Sequence, residues 1–324
     1  MPTAGSSERW LRRALELAER GRGTTRPNPV VGAVVVRDGE PVGEGWHERP
    51  GEAHAEPIAL AAAGERARGA TLYVTLEPCA HEGRTPACTD AIVAAGIARV
   101  VVAAEDPYHL VRGRGLARLR EAGVDVQLAN GELASLARRQ NEAFRTWAVA
   151  GRPFVTYKAA MTLDGRLTVP GSRWVSGDEA RRFVHELRAA SDAVGVGMGT
   201  VRADDPQLTA RDVGAVRQPR RLAFGRGPLP DGSDLELVAG DLDDELARLG
   251  GEGVQSLLLE GGPTLATAFF ERDLVDKLLV FVAPTISGAG PRLLGDLGAP
   301  VGLAAMEATH VGPDVLLTAY IHEP

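Results

Sequence analysis

The chain has 324 residues, 44% of them hydrophobic and 24% charged, a soluble globular balance in a chain too long for one ordinary core, so two domains are expected. A formal net charge of −7 argues against a broadly nucleic-acid-binding surface, though it leaves room for a local basic patch. No apolar run reaches membrane-spanning length and Met1 to Ser7 carry no hydrophobic signal region, so a cytoplasmic protein with no membrane partner is expected.

Taken in order, residues 8–20 place Trp10, Leu11, Ala14, Leu17 and Ala18 on one helical face, and Gly21 and Gly23 end that helix. The turn Pro27-Asn28-Pro29 leads into Val30 to Val36, a near-continuous apolar run that reads as a buried strand. Asp38-Gly39 signals a hairpin returning through Pro41 to Trp46. Ala55 to Ala63 is helical with His54 and Glu56 in its first turn, and Thr71 to Leu76 is a strand ending toward Cys79. Helix at Ala91 to Ala95, strand at Val100 to Ala104, helix at Gly115 to Ala122, a short strand near Val124 to Val126 and one long helix from Glu132 to Val149 follow. Strands alternating with helices give an α/β layered domain over residues 1–150, joined at Ala150-Gly151-Arg152-Pro153 to a second α/β series over 151–324. That second series has strands at Phe154–Ala160, Ala193–Gly197, Arg220–Phe224, Gln255–Glu260, Leu278–Val282 and Val315–Tyr320, with helices at Asp178–Ala190 and Leu265–Phe270.

The chemistry concentrates between His54 and Cys88, which contains both cysteines of the chain. One His and two Cys form a ligand set suited to zinc that leaves a fourth position for water; in a reducing compartment metal ligation is a better use of Cys79 and Cys88 than a disulfide. Zinc lowers the pKa of a bound water to about 7, and Glu56, two residues from His54, is placed for the general acid–base work of moving that water's proton. His54-Ala55-Glu56 with Pro78-Cys79 follows the H-x-E…P-C pattern of the zinc-dependent nucleobase deaminases. His81 is the one candidate for a fourth protein ligand, which would make the zinc structural.

Eight residues separate Cys79 from Cys88, where most zinc deaminases have two. That loop, with Pro27-Asn28-Pro29-Val30-Val31-Gly32 and Thr75-Leu76-Glu77-Pro78-Cys79, resembles the riboflavin-pathway pyrimidine deaminase. In the second half, Lys158-Ala159-Ala160-Met161-Thr162-Leu163-Asp164-Gly165-Arg166, Ser172-Arg173-Trp174, Gly199-Thr200-Val201-Arg202-Ala203-Asp204-Asp205-Pro206 and Glu260-Gly261-Gly262-Pro263-Thr264 resemble the riboflavin-pathway reductase. The whole is similar to the bifunctional bacterial deaminase/reductase family of riboflavin biosynthesis. The fold this implies is a cytidine-deaminase-like three-layer α/β/α domain followed by a dihydrofolate-reductase-like α/β domain.

The resemblance further implies zinc-dependent deamination of 2,5-diamino-6-ribosylamino-4(3H)-pyrimidinone 5′-phosphate, then NADPH-dependent reduction of the ribosyl group to a ribityl chain. It assigns deaminase substrate contacts to Asn28, His47 and Arg84. NADPH contacts fall on Ala160, Trp174, Thr200, Asp204, Gly262, Pro263, Thr264, Leu265, Ala266, Thr267 and Ala268. Reductase substrate contacts fall on Ser172, Arg188, Leu208, Arg211 and Glu260, and family members tend to form homo-oligomers through the reductase domain. Independently, a Gly-Gly-Pro-Thr turn between strand and helix presents free backbone N–H groups suited to phosphate. Three departures stand out: Asp106-Pro107-Tyr108-His109 replaces Asp-Pro-Asn-Pro, Leu222-Ala223-Phe224-Gly225-Arg226 lacks an Asp-Ser pair, and Gly227 to Gly253 is short. The zinc set alone also permits a nucleic-acid editing deaminase, and Gly225 also permits a C-terminal domain reduced to a binding or dimerising module.

Overall fold

The computed structural model describes residues 4–81, 86–109 and 111–324. The chain divides into two compact units, Met1–Ala150 together with Pro324, and Gly151–Glu323.

The first unit runs α1 (Ala4–Glu19), β1 (Gly32–Arg37), β2 (Glu40–Trp46), α2 (Ala55–Ala63), β3 (Thr71–Val74), α3 (Cys88–Ala94), β4 (Arg99–Val102), α4 (Arg114–Glu121), β5 (Asp125–Leu128), α5 (Gly131–Gln140) and α6 (Glu142–Ala150). Its sheet has the order β2-β1-β3-β4-β5. β1 is antiparallel to β2 and β3, while β3, β4 and β5 are parallel. The two-residue period of the strands sorts their apolar side chains onto opposite faces. Ala33, Val35, Leu72, Val74, Val100 and Val102 pack with the helices α2, α3 and α4. Val34, Val36, Tyr73 and Val101 pack with Trp10, Leu11, Ala14 and Leu17 of α1 and with α5. The result is three layers, α/β/α.

The expected long helix from Glu132 to Val149 is instead two helices broken at Asn141. The Asn141 side chain accepts from the Val30 N–H and donates to the Val30 carbonyl, each at 2.9 Å. Helix propensity runs through this position, and a buried pairing to a distant backbone overrides it.

The second unit runs β6 (Phe154–Thr162), α7 (Asp178–Ala190), β7 (Ala193–Gly197), α8 (Met198–Asp204), β8 (Arg220–Phe224), β9 (Glu236–Val238), α9 (Leu242–Gly251), β10 (Ser256–Leu259), α10 (Pro263–Glu271), β11 (Lys277–Ala283), β12 (Ala304–Val311) and β13 (Asp314–Tyr320). The sheet order is β12-β13-β11-β6-β10-β7-β8-β9. It is parallel from β11 to β9, with β13 and β12 added antiparallel. One face carries Val155, Tyr157, Leu257 and Leu259 against α9 and α10, and the other carries Val194, Val196 and Leu258 against α8. α8, β9, α9 and β12 were not expected. β12 is an edge strand exposed along most of both faces, so it shows no alternation of polar and apolar residues. Among the described residues no helix is long and apolar enough to cross a membrane.

Candidate active site

In the first unit, β2 prepares the platform. A Cβ at Gly45 would lie 2.5 Å from the Ala55 carbonyl oxygen, and one at Gly43 would lie 2.1 Å from that of Ala59. Bare backbone at both positions lets α2 settle directly on the strand. His54 is the N-cap of that helix but makes no side-chain cap bond, so its imidazole is available elsewhere. Cys79 lies in the turn after β3, and Cys88 opens α3.

The three side chains converge. The ligating atoms of His54, Cys79 and Cys88 lie within 4.8 Å of one another. His54 Nδ1 is 3.2 Å from Cys88 Sγ and 3.7 Å from Cys79 Sγ. Zn–S and Zn–N bonds of usual length at a tetrahedral angle separate N from S by about 3.6 Å, so the set fits zinc. His81 is exposed and outside this cluster, which leaves three protein ligands among the described residues.

The three side chains are also coupled through their protons. A hydrogen bond shared between the sulfurs draws the Cys79 thiol below its ordinary value and pushes the Cys88 thiol above it. The hydrogen bond to Cys79 raises His54. A divalent cation at the centre would replace the shared proton and deprotonate both thiols. Glu56 is 3% exposed, and burial pushes its carboxyl up to about 7.

These groups open onto a cavity of about 490 Å³ whose walls include Asn28, His47, His54, Glu56, Asp106 and Tyr108. The His47 Nδ1–H donates to the Ala53 carbonyl at 3.1 Å, and its Nε2 accepts from the Asn28 amide at 3.0 Å. That pair of bonds fixes a neutral imidazole, and burial lowers the His47 pKa to match. The rings of His47 and His54 meet edge-on with centroids 5.2 Å apart. Arg84 lies outside the described residues. Asp106, Phe144 and Trp147 also line the cavity and were not singled out as site residues. Burial pushes the Asp106 carboxyl up to about 6. Its position just after β4 was a readable signal; the two α6 aromatics gave none.

In the second unit, Lys158 and Arg188 meet Glu260 just past the carboxyl end of β10, and Gly262 lies beside Thr200, at the strand ends where open α/β sheets bind ligands. Glu260 follows β10, with its side chain 8% exposed between Lys158 Nζ at 3.4 Å and Arg188 Nε at 2.6 Å. Burial would raise the Glu260 carboxyl, but the Lys158 and Arg188 cations hold it below its ordinary value. Arg188 also donates to the Thr209 carbonyl, so this arginine is already engaged within the protein. Leu208 is buried with a φ of 53°, and Arg211 donates to Gln207 and Thr209.

Gly262 is the N-cap of α10, with Pro263 at its first turn and Thr264 to Ala268 inside the helix. A Cβ at Gly262 would lie 3.7 Å from Thr200 Oγ1, so α8, which also carries Asp204, faces this turn. The α10 N-terminus has the unpaired N–H groups and dipole that suit a cofactor phosphate. Ala266 is buried in the core, and Ala160 sits in β6 opposite Phe281. Trp174 is 53% exposed with the guanidinium groups of Arg173 and Arg181 about 5 Å from its ring. Ser172 Oγ donates to the Trp174 carbonyl.

Comparisons with known proteins match these two halves separately. Residues 5–104 match the cytidine and deoxycytidylate deaminase zinc-binding region, and residues 153–317 match the RibD C-terminal domain. The riboflavin biosynthesis protein RibD of Aquifex aeolicus is 42% identical over 89% of this chain and 90% of its own length. That of Escherichia coli is 41% identical over 96% and 98%. Among solved structures, Acinetobacter baumannii RibD superposes with a TM-score of 0.85 at 36% identity, covering 98% of this chain and 99% of that one. The diaminohydroxyphosphoribosylaminopyrimidine deaminase/5-amino-6-(5-phosphoribosylamino)uracil reductase of Thermotoga maritima superposes with a TM-score of 0.84 at 34% identity, over the same shares. With a zinc-type His/Cys₂ cluster in one unit and a match to the RibD C-terminal domain in the other, the chain belongs to the RibD family, the bifunctional deaminase/reductases of riboflavin biosynthesis.

Proposed function

We propose that residues 1–150 deaminate 2,5-diamino-6-ribosylamino-4(3H)-pyrimidinone 5′-phosphate and residues 151–324 reduce the ribosyl group of the product to give 5-amino-6-(5-phosphoribitylamino)uracil. The observation that carries the first step is the convergence of His54, Cys79 and Cys88 beside a buried Glu56. Zinc held by those three residues would supply an activated water. Glu56 would take a proton from that water and deliver it to the departing amine nitrogen, so that water is consumed and ammonia leaves. Neutral His47 and the Asn28 amide would orient the pyrimidine, and Arg84 would meet the phosphate.

In the second step NADPH supplies a hydride. The backbone of Gly262 to Thr264 and the side chains of Thr200, Asp204 and Trp174 would seat the cofactor, with Ala160 and Leu265 to Ala268 lining its site. Ser172, Leu208, Arg211 and the Lys158–Glu260–Arg188 cluster would hold the ribosyl phosphate. The enzyme would act on free metabolites in the cytoplasm as a homo-oligomer assembled through the reductase half.

A two-stage assay tests this: ammonia release first, NADPH oxidation second, with metal content measured in parallel. Glu56→Gln is expected to keep its zinc, lose about 100-fold or more in ammonia release, and still oxidise NADPH with deaminated substrate. Unchanged ammonia release by that variant would remove Glu56 from the mechanism. Absence of saturable NADPH binding would reduce the second unit to a binding module.

A further inference from the structure

One buried carboxylate of the first unit has no part in that chemistry. Glu77, two residues before Cys79, is 4% exposed. It accepts four backbone N–H groups: Oε2 takes those of Asp106 at 3.3 Å and Gly113 at 3.0 Å, and Oε1 takes those of Gly115 at 2.9 Å and Leu116 at 3.3 Å. Its own N–H donates to the Ala104 carbonyl. The donors come from two places, the chain following β4 and the first turn of α4. The N-cap of α4, Gly113, has no side chain with which to cap the helix. Glu77 does that across space, and its charge faces the positive end of the helix dipole.

The adjoining contact leaves no slack. A Cβ at Gly115 would lie 1.9 Å from the Pro78 carbonyl oxygen, so the first turn of α4 lies directly on the turn that carries Cys79. Of the residues tied down in this way, Asp106 lines the same cavity as His54, Glu56 and Cys79; Tyr108 and Val111, which lie between the tied Asp106 and Gly113 in the chain, line it too, as does Glu77 itself. The Asp106 carboxylate in turn accepts the Tyr108 N–H at 2.8 Å.

We propose that Glu77 is a positioning residue of the deaminase, a charged latch that holds the Asp106–Tyr108 wall against the Cys79 turn. It governs how tightly the substrate is held rather than how fast it reacts. An ionised carboxylate has two acceptor oxygens for four donors, whereas a glutamine would turn its own NH₂ toward two of them. None of these Glu77 hydrogen bonds goes to His54, Cys79 or Cys88, so the metal cluster can outlast the loss of the latch. The inference rests on the deaminase reading above.

The test is Glu77→Gln in the full chain, with zinc content, amide hydrogen exchange, deamination kinetics and NADPH binding measured together. Zinc should stay near that of wild type and NADPH affinity should not change. Amides of the peptide spanning residues 105–118 should exchange about tenfold faster or more. KM for the pyrimidine should rise about tenfold or more while kcat stays within about threefold. Gly115→Ala, which pushes α4 off Pro78 with the carboxylate intact, should raise KM in the same direction. An unchanged KM with accelerated exchange overturns the proposal, as does loss of zinc with kcat, which would make Glu77 a brace of the metal cluster. If both variants also lose NADPH binding, Glu77 serves general stability and the proposal falls. A wild-type chain that releases no ammonia would overturn the deaminase reading itself.

Discussion

Arg188 and Glu260 meet through two parallel hydrogen bonds, Nε to Oε1 at 2.6 Å and Nη2 to Oε2 at 3.0 Å. This is the bidentate geometry that gives arginine its selectivity for carboxylates. Lys158 approaches the same carboxylate from β6, so two cations share one buried anion. Arg188→Ala would leave Glu260 with a single, weaker partner in a desolvated site. We expect a loss of about 3 kcal/mol in the unfolding transition of the second unit, measured by urea denaturation, and loss of ribosyl reduction. Ammonia release should be unchanged. A variant as stable as wild type would show that the pair is neutral to folding.

Gly45 is the point where β2 and α2 touch. Gly45→Ala places a methyl group against the Ala55 carbonyl, where no room exists. The helix carrying His54 and Glu56 must then move outward. The expected outcome is a stability loss of about 1–3 kcal/mol with weaker zinc retention against a chelator, read by metal analysis after dialysis. Gly39→Ala, at a hairpin position with nothing near its Cβ but a φ of 82°, should cost stability without affecting zinc.

His322 reports on pH. Its hydrogen bond to Asp276 raises its pKa above the ordinary histidine value, while the doubly paired Asp276 carboxyl is held low, with Arg152 and His322 outweighing its burial. A histidine whose folded pKa is raised binds protons more tightly folded than unfolded. Its contribution is therefore fully present below about pH 6.5 and is lost as pH rises through the folded value. The difference in Tm between wild type and His322→Gln should be largest near pH 5.5 and shrink by pH 8.5. A gap that grows with pH would contradict this assignment.

Metal removal should expose the two thiols unequally. Cys79 is partly exposed and Cys88 is buried, and the hydrogen bond between them draws Cys79 toward the thiolate. With zinc bound, a thiol reagent should find neither residue readily. After chelation Cys79 should react first and Cys88 more slowly, since thiolate character and access govern the rate. Equal rapid reaction of both before chelation would argue against metal ligation.

Much of this protein was readable from its residues. The apolar face of α1 is buried as its spacing required, and β7, β8 and α7 begin and end at the residues their patterns marked. The convergence of His54, Cys79 and Cys88 beside Glu56 was legible because His, Cys and Glu at those spacings have few other reasons to occur together, and the cavity residue Asp106 could have been added from its place after β4. The break at Asn141 was not legible, because the partner that splits α5 from α6 is the Val30 backbone, 111 positions away. β12 escaped because an exposed edge strand has no buried face to impose alternation.

Residue type and local period were enough to pick out His54, Cys79 and Cys88 as a zinc-type set beside Glu56 and to place two α/β units one after the other. Tertiary contact alone makes His47 neutral, held by Asn28 and Ala53, and joins Glu260 to both Lys158 and Arg188. It also decided that Glu77 gathers four distant N–H groups. These are contacts between segments far apart in the chain, and local pattern has no access to which buried polar group will meet which partner once the layers close.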